Sequence, residues 1–216
     1  MVNDRPRRLF VAGATGATGT VLVRLAQAGG APVVPQVRPQ SASRAPPNAA
    51  IVDLADQAAL VRALSDCTTV VQLVGTMRSR FADGDTYETS DIGTTRALVA
   101  AGQEAGVDHV VLLSSTGAGR PRGAYLQAKA QAESIVRESG LEWTIFRPSF
   151  LLGDHRGPPR PVAAVLRAIS PASLKPIRLE DLARAILHVG LTRAALGQVL
   201  EGRSLFAEAQ HASALA

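Results

Sequence analysis

The chain has 216 residues, with 23 Lys+Arg against 18 Asp+Glu and a formal net charge of +5. At about 100–200 residues per domain this length suits one domain, and 46% hydrophobic with 19% charged residues excludes a disordered chain. A single cysteine excludes a disulfide framework and a thiolate zinc cluster, and no apolar run approaches the ~20 residues that span a bilayer.

Strand-like and helix-like segments alternate from the start. Residues 8–12 form a short apolar run ending in glycine, as a buried parallel strand does. Residues 20–28 carry apolar side chains at helical spacing (Val21, Leu22, Leu25, Ala26) and stop at Gly29-Gly30. A second strand is expected over 33–37, although Pro35 interrupts it. After a polar loop at 41–48 come a third strand at 50–52, a helix at 56–64 and a fourth strand at 69–74. A long amphipathic helix over 86–105 ends at Gly106, followed by a fifth strand at 110–113, a helix at 125–139 and a sixth strand at 143–146. This rhythm predicts an α/β fold of right-handed βαβ units, with a parallel sheet covered on both faces.

After Arg147-Pro148 the pattern becomes irregular. Residues 149–180 are rich in Pro and Gly, and a helix over 182–189, capped by Asp181, precedes a strand-like 198–200. This tail is too short for an independent substrate domain, so a single domain over 1–216 is expected, with 149–216 as a small C-terminal lobe. The N-terminus has no long apolar segment of the secretory kind, so a soluble cytoplasmic protein with no membrane partner is expected.

The basic residues do not form a nucleic-acid motif. All but two of the 23 cations (Lys129 and Lys175) are arginine, spread along the chain, and Arg5, Arg7 and Arg8 are the densest cluster. Only eight aromatic residues are available to stack bases, so no specific nucleic-acid partner is expected. His109, His155, His188 and His211 lack metal-ligand spacing, and no metal site is expected.

The first strand leads into Gly13-Ala14-Thr15-Gly16-Ala17-Thr18-Gly19 and then into the first helix. In a strand-to-helix turn one glycine allows the tight bend, another lets a pyrophosphate approach the backbone, and a third lets the helix pack closely. The helix N-terminus offers its unpaired N–H groups and positive dipole to the anion. No Gly-Lys-Ser/Thr follows, which excludes the phosphate loop of NTPases.

The G-x-x-G-x-x-G spacing resembles the short-chain dehydrogenase/reductase superfamily in its extended and atypical branches. Val74-Gly75-Thr76-Met77-Arg78 is similar to the Leu-Gly-Thr-Thr-Arg of Tat-interacting-protein-like oxidoreductases. Leu112-Leu113-Ser114-Ser115, Tyr125-Leu126-Gln127-Ala128-Lys129, Phe146-Arg147-Pro148 and the Leu-Leu-Gly-Asp run at 151–154 also look like that group. NmrA-like regulators share several of these features. The resemblance covers about residues 8–190 and implies a Rossmann-type, doubly wound parallel sheet that binds NAD(P)H. It assigns the nucleotide to Gly13, Thr15, Gly16, Ala17, Thr18, Gly19, Asp53, Leu54, Val74, Gly75, Thr76 and Lys129, with Asp53 facing the adenine amino group. Asp53 suits equally the cap of a following turn.

Cofactor choice is read from charge. NAD sites carry an acid about 20 residues beyond the loop to hold the ribose diol, whereas this chain has Arg38 there and Arg44 soon after. An arginine offers bidentate hydrogen bonds to the 2′-phosphate, so NADP(H) is expected ahead of NAD(H). The alternative is that Arg38 is a surface charge.

Tyr125 and Lys129 stand four apart on a predicted helix and share one face. With two tyrosines and two lysines in the chain, Tyr-x-x-x-Lys arises by chance only about 2% of the time, which favours a functional pair. A phenol ordinarily titrates near ~10, and a nearby ammonium with a cationic nicotinamide ring favours the phenolate. The lysine also suits the nicotinamide-ribose hydroxyls and a proton relay. Ser115 is the first candidate to hold a substrate carbonyl, with Ser114 or Thr116 in reserve. Ser115 lies only ten residues before Tyr125, closer than is usual in the superfamily, which leaves a displaced serine or a vestigial site open. Two functions follow: an oxidoreductase moving hydride between NADPH and a small carbonyl or quinone, or a non-catalytic NADP(H) sensor or accessory protein. The resemblance also allows a homodimer through the helices at 86–105 and 125–139.

Overall fold

The structure, a computed structural model, describes residues 5–75, 86–152 and 175–215. Its first strand, β1 (Leu9–Ala12), is buried throughout. Leu9 and Val11 enter one apolar cluster and Phe10 and Ala12 another. Successive side chains of a strand point to opposite faces, so a strand apolar at every position needs helices on both sides of its sheet.

The sheet is completed by β2 (Val33–Val37), β3 (Ala50–Ile51), β4 (Thr69–Gln72), β5 (His109–Leu113), β6 (Glu142–Arg147) and, after the two-residue strands β7 (Leu151–Leu152) and β8 (Ile177–Arg178), β9 (Gln198–Glu201). The order is β3-β2-β1-β4-β5-β6-β9, and every pairing is parallel. Strands β7 and β8 form a small parallel pair of their own. The helices are α1 (Ala17–Ala28), α2 (Gln57–Leu64), α3 (Thr94–Ala105), α4 (Gly123–Arg137), α5 (Leu179–Thr192) and α6 (Arg203–Ala214). One face buries Leu22 of α1, Leu182 and Ile186 of α5 and Leu205 of α6 with Val71, Val111 and Phe146. The other buries Leu60 and Leu64 of α2, Leu98 of α3 and Val136 of α4 with Val70, Val110 and Ile145. This is the doubly wound parallel α/β architecture expected from the sequence.

Several element ends differ from expectation. Helix α1 starts at Ala17, three residues early, because Gly16 already stands in extended backbone at the N-cap. The expected helix over 86–105 is divided into a π-helical turn, Glu88–Gly93, and α3, which ends at Gly106 in the left-handed region. Helix α5 begins at Leu179, so Asp181 lies within its first turn rather than at its cap. Pro35 is tolerated inside β2 because β3 pairs only with Gln36 and Val37, leaving no partner opposite the proline on that side.

Part of the tail joins the sheet: β9 pairs with β6, and α5 lies so close to β1 that a side-chain carbon at Gly190 would come within 2.7 Å of Leu9. No described helix is long and apolar enough to cross a membrane. The strand order reverses between β1 and β4, and open α/β sheets bind ligands beyond the strand C-termini at such a point.

Candidate functional site

A cleft of about 730 Å³ opens there. Its floor is the loop after β1. Gly13 holds a φ of +84, and Gly16 donates its N–H to the Gly13 carbonyl at 3.0 Å. A side-chain carbon at Gly19 would fall on that same carbonyl, so the third glycine lets α1 press against the loop. No side chain caps α1; its first intrahelical bond runs from Thr20 N–H to Gly16, and the free first-turn N–H groups suit an anion. Gly13, Thr15 and Gly16 line the cleft. Thr18 and Gly19 are buried and shape the turn from below, while Ala17 opens the helix without lining the cleft.

One end of the cleft is cationic. Arg38 follows β2 and Arg44 ends the 3-10 turn Pro39–Arg44, so both guanidinium-bearing residues line the same wall. Between them Ser41 is buried and accepts a hydrogen bond from Arg44 at 3.1 Å. Asp53 and Leu54 lie on the cleft as expected. Asp53 also caps the turn after β3, its carboxylate accepting the Ala55 N–H at 3.0 Å. Asp56, rather than Asp53, caps α2 by accepting the Ala59 N–H.

The other end of the cleft is lined by Val74 and Gly75, which follow β4. Beside Gly75 lies Lys129, whose Nζ pairs with Asp91 Oδ1 at 2.8 Å and donates to the Leu113 carbonyl at 3.3 Å. Both charged side chains are almost fully buried, at 8% and 1% exposure. The same Nζ is 5.9 Å from the centre of the Tyr125 ring, and Tyr125 is half-buried against Tyr87 with ring centres 5.8 Å apart. The predicted Tyr125 and Lys129 thus share one face of α4, one turn apart.

The serine candidates separate by their partners. Ser114 is buried and donates to Glu133 at 2.6 Å. Thr116 donates to the Arg147 carbonyl at 3.0 Å. Among the described residues Ser115 makes only a long 3.4 Å contact with the Thr116 carbonyl, which leaves its hydroxyl the most available of the three there. The short interval to Tyr125 is wound into successive turns closed by Ala118 N–H to Ser115 and Arg120 N–H to Gly117.

Sequence reasoning missed three buried polar groups that hold this site. Gln36 accepts the Gly13 N–H at 3.3 Å and donates to the Val52 carbonyl, tying the loop to the residue just after β3. Asp91 is the partner of Lys129. Glu133 receives Arg147 through two nitrogens at 2.8 and 2.6 Å, together with Ser114 and Arg137. Burial alone would push the Glu133 carboxyl up, but the hydrogen bonds from Arg147 and Ser114 outweigh it and hold the group below its usual range. Glu133 in turn raises the Arg147 guanidinium. Arg147, which ends β6, is therefore one arm of a buried ion pair. The signal available for Gln36 was a polar residue inside an apolar strand; Asp91 and Glu133 looked like solvated helix faces. Burial pushes the Cys67 thiol up to about 11, in keeping with an inert cysteine. Thr76, Met77, Arg78 and the stretch 153–174 lie outside the described residues, as does His155. Among the described residues no group of three or more metal-ligating side chains could hold an ion.

A glycine-lined cleft at the strand-order reversal, with an uncapped helix N-terminus at its floor, defines a dinucleotide-binding protein of Rossmann type. The chain belongs to the NAD(P)H-binding family whose model matches residues 13–190. No curated protein matches it in sequence. Among solved structures it is similar to MoeE5 in complex with UDP-glucuronic acid and NAD, at 22% identity and a TM-score of 0.69 over 90% of this chain and 76% of that one. It is similar to the Bordetella bronchiseptica enzyme WbmH in complex with NAD+, at 18% identity and 0.67, covering 90% and 74%. It is also similar to the NADPH-dependent quinone oxidoreductase QOR2 of Escherichia coli, complexed with NADPH, at 20% identity and 0.66, covering 89% and 68%. At these identities the likenesses show a shared fold.

Proposed function

We propose that the protein is an NADP(H)-dependent oxidoreductase acting on a small carbonyl or quinone. The observation that carries this reading is the placement of Tyr125 and Lys129 just beyond the Gly75 end of a cleft whose other end carries Arg38 and Arg44. The residues present fit the nucleotide: the backbone at Gly13 and Gly16 is bare, and α1 offers N–H groups for a pyrophosphate. Arg38, Arg44 and the Ser41 hydroxyl line one short stretch of the cleft, a set suited to a 2′-phosphate. When bound, the cofactor supplies a hydride to the substrate carbon. Tyr125 supplies the proton that the substrate oxygen takes up, Ser115 steadies that oxygen, and Lys129 holds the ribose beside the phenol. The QOR2 likeness supports a quinone or related carbonyl, and MoeE5 in complex with UDP-glucuronic acid supports a sugar nucleotide as an alternative substrate on the same frame.

A second reading is favoured by the engagement of Lys129 with Asp91 at 2.8 Å: a nucleotide sensor that binds without turnover. NADPH absorbance followed across a panel of aldehydes, ketones and quinones separates the two. The oxidoreductase reading expects turnover that Tyr125→Phe removes almost completely while NADPH affinity stays nearly unchanged, and that Lys129→Ala damages together with affinity. Turnover that survives Tyr125→Phe would sink the mechanism, and a silent panel with tight NADPH binding would make the protein a sensor.

A further inference from the structure

We propose that Asp91 is a positioning residue that sets the charge met by the nicotinamide half of the nucleotide, and with it the preference between NADP+ and NADPH. The inference rests on the NADP(H) reading above. Lys129 and Asp91 form an ion pair of 2.8 Å with almost no solvent access. A buried charge without a partner is costly, so each group requires the other. Gly75 leaves room for the pair: a side-chain carbon there would lie 2.9 Å from Lys129 Nζ and 3.1 Å from Asp91 Oδ1. The pair therefore stands directly behind the backbone that ends the cleft.

Asp91 is held in place by its surroundings. It belongs to the π-helical turn before α3, a kind of irregularity that alters which side chains a helix turns inward. Gln72, at the end of β4, donates to Thr95 at 3.2 Å, and Thr95 donates to the Asp91 carbonyl at 2.6 Å. These two bonds, both buried, fix the Asp91 backbone to the central strand of the sheet.

The consequence is electrostatic. A nucleotide with its pyrophosphate at Gly13 and Gly16 and its adenosine end at Arg38 must pass its nicotinamide half beyond Gly75, beside Lys129. The oxidised ring carries a positive charge that the reduced ring lacks. An unpaired ammonium would oppose NADP+ selectively, and the Asp91 carboxylate cancels that opposition.

Calorimetric titration of the full chain with NADP+ and with NADPH tests this in the unmutated protein, Asp91→Asn, Lys129→Met, the double variant and Asp91→Glu. Asp91→Asn is expected to weaken NADP+ roughly fivefold to tenfold more than NADPH, as one added unit charge in a partly screened site would. Lys129→Met should move the ratio of the two affinities the other way, the double variant should bring it back, and Asp91→Glu should preserve it. Equal losses for both nucleotides in Asp91→Asn would reduce Asp91 to a structural partner and overturn the proposal. If that variant shows no cooperative thermal transition, the ratio in Lys129→Met decides: an unmoved ratio refutes the charge argument. Failure of the unmutated protein to bind either nucleotide would instead bring down the NADP(H) reading, and this proposal with it.

Discussion

A side-chain carbon at Gly19 would fall on the Gly13 carbonyl and lie 2.8 Å from the Ala14 Cα, so nothing but hydrogen fits between α1 and the loop. Because those contacts are backbone, the strain of a larger residue cannot be relieved by a rotamer change. Gly19→Val should therefore displace the loop at a cost of about 1–3 kcal/mol, less than the 5–15 kcal/mol by which a typical domain is folded. Thermal unfolding should show a lowered but still cooperative transition that NADPH no longer raises. An unchanged NADPH-induced rise would mean that the loop is only a turn. This residue and the other loop glycines were legible in the sequence because a close backbone approach leaves a compositional trace. Gln36 and Asp91 were not, since a buried amide or carboxylate has the same letter as an exposed one and only its partners distinguish it.

Four elements meet at Glu133. The residue sits on α4 and holds Ser114 after β5 and Arg147 at the end of β6, while Arg147 reaches Glu201 of β9 at 3.2 Å. Glu133 is 1% exposed and the Arg147 side chain 12%. Removing one partner of such a pair leaves the other buried and uncompensated, so Glu133→Ala should cost about 3–5 kcal/mol, measured by urea unfolding. A loss below about 1 kcal/mol would show that water replaces the carboxylate freely. The alternation of elements could be read from the sequence because parallel strands buried on both faces give unbroken apolar runs, as Leu9–Ala12 does. Helix α6 escaped because its buried face is only Leu205, Ala209 and Ala212, too weakly apolar to mark a period. The π-helical turn escaped because its residues continue the helical pattern of α3, and its contact with the sheet, from Gln72 to Thr95 and from Thr95 back to the Asp91 carbonyl, forms only in the fold. The Glu133–Arg147 pair joins residues whose proximity only the folded sheet creates.

Stability of the whole molecule should fall in mild acid. His109 is fully buried at the start of β5, and its Nε2 faces the Thr144 hydroxyl at 3.1 Å. Thr144 gives its only proton to the Ala195 carbonyl, so the imidazole must donate from Nε2, leaving Nδ1 without a partner among the described residues. Burial, assisted by the Arg193 guanidinium, pushes the imidazole down from 6.5 to about 4, although Asp108 nearby opposes this and Arg7 adds to it. Between those values the unfolded chain binds a proton that the folded chain refuses. Stability is therefore complete above pH 6.5 and declines as pH falls toward 4, by up to about 3 kcal/mol. The depressed Glu133 carboxyl adds a further loss below its usual range. Urea midpoints should fall across this window, and His109→Leu should flatten the upper part of the slope; an unaltered slope would show that other groups set it. Nucleotide preference is tested most directly by calorimetric titration of the unmutated chain with NADPH and NADH beside Arg38→Asp. Because Arg38 and Arg44 line the cleft where an NAD site would carry an acid, NADPH should bind at one site several-fold more tightly than NADH, and Arg38→Asp should erase the difference. Equal affinities in the unmutated protein, or no binding of either nucleotide, would refute Arg38 as the residue that selects NADP(H).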